Sequence, residues 1–384
     1  MESNLFHRFV FAFCRTFAGP ILKRKFRYKF KKQLGPTAPS LIVVNHCTNF
    51  DPALVALGFS EHMYFLASEH AFRAGFASKV LKTLFDPIPF NKARADVFAI
   101  KEMIRRLRAG ENVCVFPEGD MSFAGTTMPI SASIAKLAKT SGADLITYRL
   151  EGGYFTSPRW AKTLRKGEIG GEAIRRYSSH ELKEMSEDQV LQVIERDLHE
   201  DAYQRQKSRL VCYSGKNLAE NIETAFYLCP NCKKIGTIRS KGDRFFCDCG
   251  LEGIYTETGT LEGDKLPFLT LTEWGSWQGE VIAEVVKNVG DDIICSDEGQ
   301  LLYEVHAAAY KTPVGEGLMS INNKVFHCVG KDFPLDSITK FAIVGQMTLL
   351  FAVKDGANYE VRSTIPRSAL KYREIFKVLK QDDV

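Results

Sequence analysis

The chain of 384 residues has no long run of uncharged apolar residues, no internal repeat and no low-complexity tract. The first absence argues against a membrane-spanning helix, the others against a solenoid or a disordered tail. An evenly spaced cysteine framework is also missing: four of the ten cysteines crowd into positions 229 to 249 and the rest lie scattered at 14, 47, 114, 212, 295 and 328. That usage fits a reducing, cytosolic setting, not a disulfide scaffold. Acidic residues are scarce in one place only. Residues 1 to 34 hold nine Lys or Arg and a single acid, Glu2, whereas the remainder holds 42 basic and 45 acidic residues. The whole excess of positive charge therefore sits in the first 34 residues, where binding by charge is to be sought.

What is present is globular: 45% hydrophobic and 25% charged, at a length that calls for two or three domains. In the basic segment, Leu5, Phe9, Phe13 and Phe17 recur every fourth residue and line one side of a helix. Arg8, Arg15 and Pro20 inside the apolar stretch speak against a membrane span, and charges within it, not ahead of it, against a signal peptide. The run KRKFRYKFKK that follows interleaves seven cations with three aromatics, which suits an anionic lipid surface, rings at the headgroups and cations on phosphates. Residues 1–34 are thus expected to be an amphipathic arm at a membrane interface.

From residue 38 to about 170, short apolar runs alternate with helical spacing. LIVVNH, MYFLAS, VCVFPEG and LITYRL read as strands; DPALVALGF, ADVFAIKEMIRRLRAG and ISASIAKLAKTSG read as helices, the second stopped by Gly110. Such alternation predicts an α/β sheet covered by helices, with polar residues gathered where strands end. Residues 177–210 read as charged connecting helices, and the texture from about 265 onward as strands. LMSINNKVFHCV and FAVKDGANYEVRS are hairpins about Asn-Asn and Asp-Gly turns, and SALKYREIFKVLK is a closing helix.

Three blocks carry chemistry. VVNHCTNFDPAL places His46 at the end of a buried strand with Asp51 five residues on. PIPFNKARAD places Lys92 and Arg94 two apart, both on one side of an extended segment and able to grip a phosphate. FPEGDMS places Glu118 at a strand end beside Gly119, which lets main chain approach a ligand closely. His-x4-Asp alone is common, and a His at a strand edge with an Asp capping the next helix is ordinary structure.

Asn-His-x4-Asp, a basic block and Phe-Pro-Glu-Gly in that order resemble the glycerophospholipid acyltransferase superfamily, the family of lysophosphatidic acid acyltransferases, over about residues 1 to 170. The resemblance implies the family's mixed α/β sheet and an acyl transfer from a thioester, on coenzyme A or acyl carrier protein, to the hydroxyl of a lysophospholipid. The acceptor it names first is 1-acyl-glycerol-3-phosphate, with another lysophospholipid or glycerol 3-phosphate as alternatives. It makes His46 the general base, Asp51 its orienting partner, Lys92 or Arg94 the phosphate cation, and Glu118 with Gly119 the acceptor's positioning residues. No Ser or Cys nucleophile is needed, so Cys47 and Ser122 need not act covalently. Two departures touch the acceptor: Asp120-Met121-Ser122 stands where the family often has Thr-Arg-Ser, and Tyr148, Arg149 and Glu151 stand in a block that is usually apolar.

Cys229-x2-Cys232 and, fourteen residues later, Cys247-x1-Cys249 offer four thiolates on two turns. That pattern predicts a structural zinc site with every position filled, although CxC is less usual than CxxC in the second pair. The expected organisation is an interfacial arm (1–34), an acyltransferase domain with connecting helices (35–210), a zinc-ribbon module (220–256), and a β-rich region with a closing helix that resembles the pleckstrin-homology shape (265–384). The expected place is the cytoplasmic face of the membrane, peripherally bound, with no nucleic acid as partner. The competing expectation is a zinc-ribbon scaffold around an inactive acyltransferase domain.

Overall fold

The computed structural model describes residues 2–31, 39–68, 76–90, 97–307 and 310–381. The chain divides into two compact units. The first comprises the described residues of Met1–Asn91, Ala95–Pro158 and Arg165–Ser214, the second those of Arg159–Leu164 and Gly215–Val384.

The first unit opens with helix α1 (Glu2–Phe26) and strands β1 (Lys29–Phe30) and β2 (Ser40–Val44). There follow α2 (Asp51–Gly58), β3 (Met63–Ser68), α3 (Phe76–Phe85), β4 (Ile88–Phe90), α4 (Val97–Arg108), β5 (Asn112–Val115), α5 (Ser133–Ser141) and β6 (Asp144–Glu151). It closes with α6 (Gly153–Thr156), β7 (Gly170–Tyr177), α7 (Ser179–Glu184), α8 (Glu187–Leu198) and α9 (Ala202–Ser208). The sheet runs β1-β7-β6-β2-β5-β3-β4, parallel throughout except for the antiparallel β6–β7 pair, so the expected mixed α/β sheet is what forms.

Its central strand shows why. SLIVV is apolar at every position, and alternate side chains serve two cores. Leu41 and Val43 pack with Met103, Leu107, Leu137, Ile194 and their neighbours; Ile42 and Val44 pack on the other face with Phe26, Leu54, Val55 and Tyr148. A strand buried on both sides cannot slip in register without burying polar groups, so its end, where His46 begins, is a fixed point.

One expectation is corrected. The rings of KRKFRYKFKK do not face outward: Phe26 and Tyr28 are buried in the second core, where the hydroxyls of Tyr28 and Tyr148 are hydrogen-bonded at 2.9 Å, and Phe30 packs against it. The exposed apolar surface lies earlier, on α1, where Leu5, Phe9, Phe13, Phe17 and Ile21 are each more than half exposed. The helix is docked by its other side. Val10 and Phe11 are buried, and Arg15 donates to the carbonyl oxygens of Phe59 and Ser60 at 2.6 and 2.7 Å, where α2 ends.

In the second unit, β8 (Ile238–Lys241), β9 (Arg244–Cys247), β10 (Glu252–Tyr255) and β11 (Leu261–Glu262) form an antiparallel sheet in the order β11-β10-β9-β8. Helix α10 (Leu271–Val289) follows, inside the stretch expected to be strands. Its start is set by a capping box, Thr270 with Glu273, and its buried side repeats Leu271, Trp274, Gln278, Ile282 and Val286 at helical spacing. Gly275, Gly279 and six β-branched residues mask that pattern. Strands β12 (Cys295–Ala307), β13 (Tyr310–Ile321), β14 (Val325–Cys328), β15 (Lys331–Pro334), β16 (Ile338–Val344), β17 (Thr348–Val353) and β18 (Asn358–Ser363) then make a seven-stranded antiparallel sheet, ordered β15-β14-β13-β12-β18-β17-β16, before α11 (Ala369–Gln381).

Candidate functional site

Strand β2 stops at Val44, and the next residue extends it by its side chain. The Asn45 amide donates to the carbonyl of Leu150 at 2.8 Å and accepts the Leu150 N–H at 2.7 Å, imitating a main-chain pair with β6. The backbone of His46 is thereby free to turn out of the sheet. Its Nδ1 lies 2.8 Å from Oδ2 of Asp51, the first residue of α2, while the imidazole stacks on Phe116 at 4.4 Å between ring centres.

Asp51 does not cap its helix in the ordinary way; its carboxylate points back into the loop. Oδ2 also accepts the N–H groups of Cys47 and Thr48 at 2.7 and 2.9 Å, and Oδ1 accepts the Thr48 hydroxyl at 2.6 Å. Four donors around one buried carboxylate fix it against rotation and satisfy a charge that burial alone would penalise. With the His46 Nδ1 proton directed at Asp51, the Nε2 side of the ring is the acceptor. That tautomer is assigned from the bonding pattern. Burial, reinforced by Asp51, pushes the Cys47 thiol well up and keeps it protonated; Ser122 spends its hydroxyl on the carbonyl of Thr126. Neither is disposed as a nucleophile.

Glu118, expected to position the acceptor, clamps two pieces of main chain. Oε1 accepts the N–H of His46 at 2.6 Å and Oε2 the N–H of Met128 at 2.5 Å. Burial pushes its carboxyl up to about 8, against the pull of those two donors. Gly119 sits at φ +68°, the left-handed region, and the space a Cβ would enter is open. Lys92 and Arg94 lie outside the described residues.

Arg149, at the end of β6, is ion-paired with Glu151 at 3.1 Å. The glycines after it have a packing reason. A Cβ on Gly152 would stand 2.3 Å from the carbonyl of Glu168, which requires glycine there, and one on Gly153 would crowd the Cβ of Cys47 at 3.0 Å, so α6 packs closely on the His46 loop. Phe116, Thr48 and Met128 escaped the sequence reading. The Phe next to Pro-Glu-Gly was the one available signal, because the other two act through groups every residue or many residues possess.

In the second unit Cys229, Cys232, Cys247 and Cys249 bring their sulfurs within 4.8 Å of one another. The Cys229–Cys249 and Cys232–Cys247 separations are 3.6 and 3.9 Å. Sulfurs bound tetrahedrally at about 2.3 Å from a metal would lie about 3.8 Å apart, so the set fits a metal ion and leaves no position for substrate. The amide of Asn231 donates to Cys249 at 3.3 Å and draws that thiol down to about 6, whereas burial pushes Cys229 up. The knuckle is held from α10: Gln278 accepts the N–H groups of Tyr227 and Leu228 at 2.9 and 3.0 Å, and the Trp274 indole donates to the Leu228 carbonyl at 3.0 Å.

Residues 25–151 match the family described as Acyltransferase. Among solved structures, the chain is similar to the 1-acyl-sn-glycerophosphate (LPA) acyltransferase PlsC of Thermotoga maritima, at 16% identity and a TM-score of 0.39, covering 55% of this chain and 99% of that one. The segment that holds His46, Asp51 and Glu118 thus lies within the part of the chain that is similar to the Acyltransferase family.

Proposed function

We propose that the protein transfers a fatty acyl group from a thioester, on coenzyme A or acyl carrier protein, to the free hydroxyl of a lysophospholipid, with 1-acyl-glycerol-3-phosphate as the first acceptor to test. The observation that carries this reading is the 2.8 Å contact between His46 and a fully buried, four-fold bonded Asp51 within an acyltransferase segment. Nε2 of His46 takes the hydroxyl proton as the oxygen attacks the thioester carbonyl. Asp51 stabilises the imidazolium, and the departing thiolate recovers the proton. Glu118 holds the main chain of His46 through one oxygen and that of Met128 through the other.

The exposed stripe on α1, set in the most basic part of the chain, supports peripheral attachment to an anionic membrane surface at its cytoplasmic face. No helix among the described residues is long and apolar enough to cross a membrane. Zinc is the metal the four-thiolate set favours, in a structural role. The seven-stranded sheet with its closing helix supports the pleckstrin-homology-like reading of the tail.

The test is acyl transfer by the wild type and His46→Ala, with a panel of acceptors (lysophosphatidic acid, other lysophospholipids, glycerol 3-phosphate) and both thioester donors. Transfer to a lysophospholipid that His46→Ala abolishes supports the reading; an inert wild type that nevertheless binds partners through its cysteine module overturns it in favour of a scaffold.

A further inference from the structure

Two ion pairs meet where β6 ends beside the His46 loop. Arg149 Nε lies 3.1 Å from Glu151 Oε1, and Arg205 Nε, on α9, lies 2.7 Å from Glu200 Oε1. The pairs belong to one cluster: Glu200 feels the charges of both Arg149 and Glu151, and Glu200 and Arg205 both act on Cys47, the neighbour of His46. The parallel register of β2 and β6, Val44 opposite Tyr148, sets Asn45 beside Arg149, and Asn45 grips Leu150 on both its main-chain groups. Glu200 is held equally firmly. Its N–H donates to Thr127 Oγ1 at 2.8 Å and its carbonyl accepts the Thr127 N–H at 3.0 Å, which ties the cluster to the loop clamped by Glu118.

A pair that only braced the fold would spend its donors. The Arg205 guanidinium also bonds Tyr213, yet its Nη2 is buried with no hydrogen-bond partner among the described residues, and Arg149 engages only Nε. A buried guanidinium donor left unmade is costly, and guanidinium groups match phosphate with the same paired donors that they offer a carboxylate. The block that is usually apolar in the family this chain resembles is thus charged here, in the strand that runs beside the one leading to His46.

We propose that Arg149 and Arg205 clamp the phosphate of the acceptor, the carboxylates of Glu151 and Glu200 holding the two guanidinium groups until that phosphate takes their place. This rests on the reading of the chain as a lysophospholipid acyltransferase. Arg205 lies beyond the matched residues 25–151, so the connecting helices contribute to the acceptor site.

Steady-state kinetics with lysophosphatidic acid in mixed micelles and an acyl-coenzyme A donor provide the test. Arg149→Ala and Arg205→Ala are expected to raise the acceptor KM roughly tenfold to a hundredfold, leaving the donor KM unchanged. Arg149→Lys recovers part of the loss. Glu151→Gln, which frees Arg149, lowers the acceptor KM, a sign that loss of a structural brace does not produce. Independently of turnover, glycerol 3-phosphate should raise the melting temperature of the wild type and not that of Arg149→Ala. An unchanged acceptor KM in Arg149→Ala, or a glycerol 3-phosphate shift that survives it, overturns the clamp. If Arg205→Ala does not fold, Arg149→Ala and Glu151→Gln decide. If the wild type transfers to no lysophospholipid, the reaction reading falls and the glycerol 3-phosphate shift alone judges the site.

Discussion

The carboxylate of Glu118 lies 2.6 Å from the main-chain nitrogen of His46, 72 residues away along the chain. Glu118→Gln keeps the shape but turns one oxygen into a donor, so either His46 or Met128 faces an N–H with an N–H. The expected cost is about 1–3 kcal/mol of stability, with a fall in kcat larger than any change in KM. A kcat equal to that of the wild type would show that the clamp does not position the base.

Replacing His46 by Ala should lower kcat by about 10²–10⁴, the usual contribution of a general base. Asp51→Asn should cost as much and also destabilise the loop, because the amide leaves the N–H donors of Cys47 and Thr48 and the Nδ1 proton competing for fewer acceptors. Urea denaturation separates the two effects: only Asp51→Asn moves the midpoint appreciably.

Acid should loosen the first unit at His62. Burial, followed by the charges of His7, Arg8 and Arg106 and opposed by Asp86, lowers it from 6.5 to about 4. Its ring packs against Phe11 of α1 and against Tyr64. A histidine depressed in the folded state takes its proton more readily when unfolded. Stability from this group is therefore full above about pH 6.5, falls as pH drops toward about 4, and changes no further below that. The slope is at most about 1.4 kcal/mol per pH unit. Urea midpoints for wild type and His62→Phe at pH 7 and 4.5 check it: the acid-induced loss should be smaller in the variant.

The cysteine module should bind one metal ion per chain. Cys229→Ser or a strong chelator is expected to lower the melting temperature and to free the Trp274 indole from Leu228, visible in tryptophan fluorescence. Metal analysis of protein purified under reducing conditions that finds none would dispose of the site.

Phe9→Ser/Phe13→Ser/Phe17→Ser should weaken sedimentation with anionic vesicles and leave the melting temperature nearly unchanged, since these rings are exposed and touch mainly one another. Retained vesicle binding would move the membrane contact elsewhere.

Much of the first unit was legible in its residues. Short apolar runs gave β2 and β3, and Gly110 and Gly142, both at positive φ, ended the reading of α4 and α5. Helix α10 was not legible, because two glycines and six β-branched residues argued against it locally while its burial against Phe226 and Phe245 through Trp274 decided otherwise. The pairing of His46 with Asp51 is legible only together with the basic block and Phe-Pro-Glu-Gly downstream, and a sequence cannot reveal that Glu118 spends both oxygens on main chain. Nor can it bring Arg205 to Arg149, since that approach depends on how the connecting helices fold back over the sheet.

The apolar stripe of α1 has a geometric consequence. A step of four residues in an α-helix overshoots a full turn by about 40°, so from Leu5 to Ile21 the stripe winds about 160° around the axis. Phe13 stands at its middle, with Phe9 and Phe17 in ring contact on either side. A flat plane laid on Phe13 meets the two ends of the helix facing away in opposite senses of rotation. The arm therefore offers a plane a point of deepest contact, about which it can roll, instead of a flat keel.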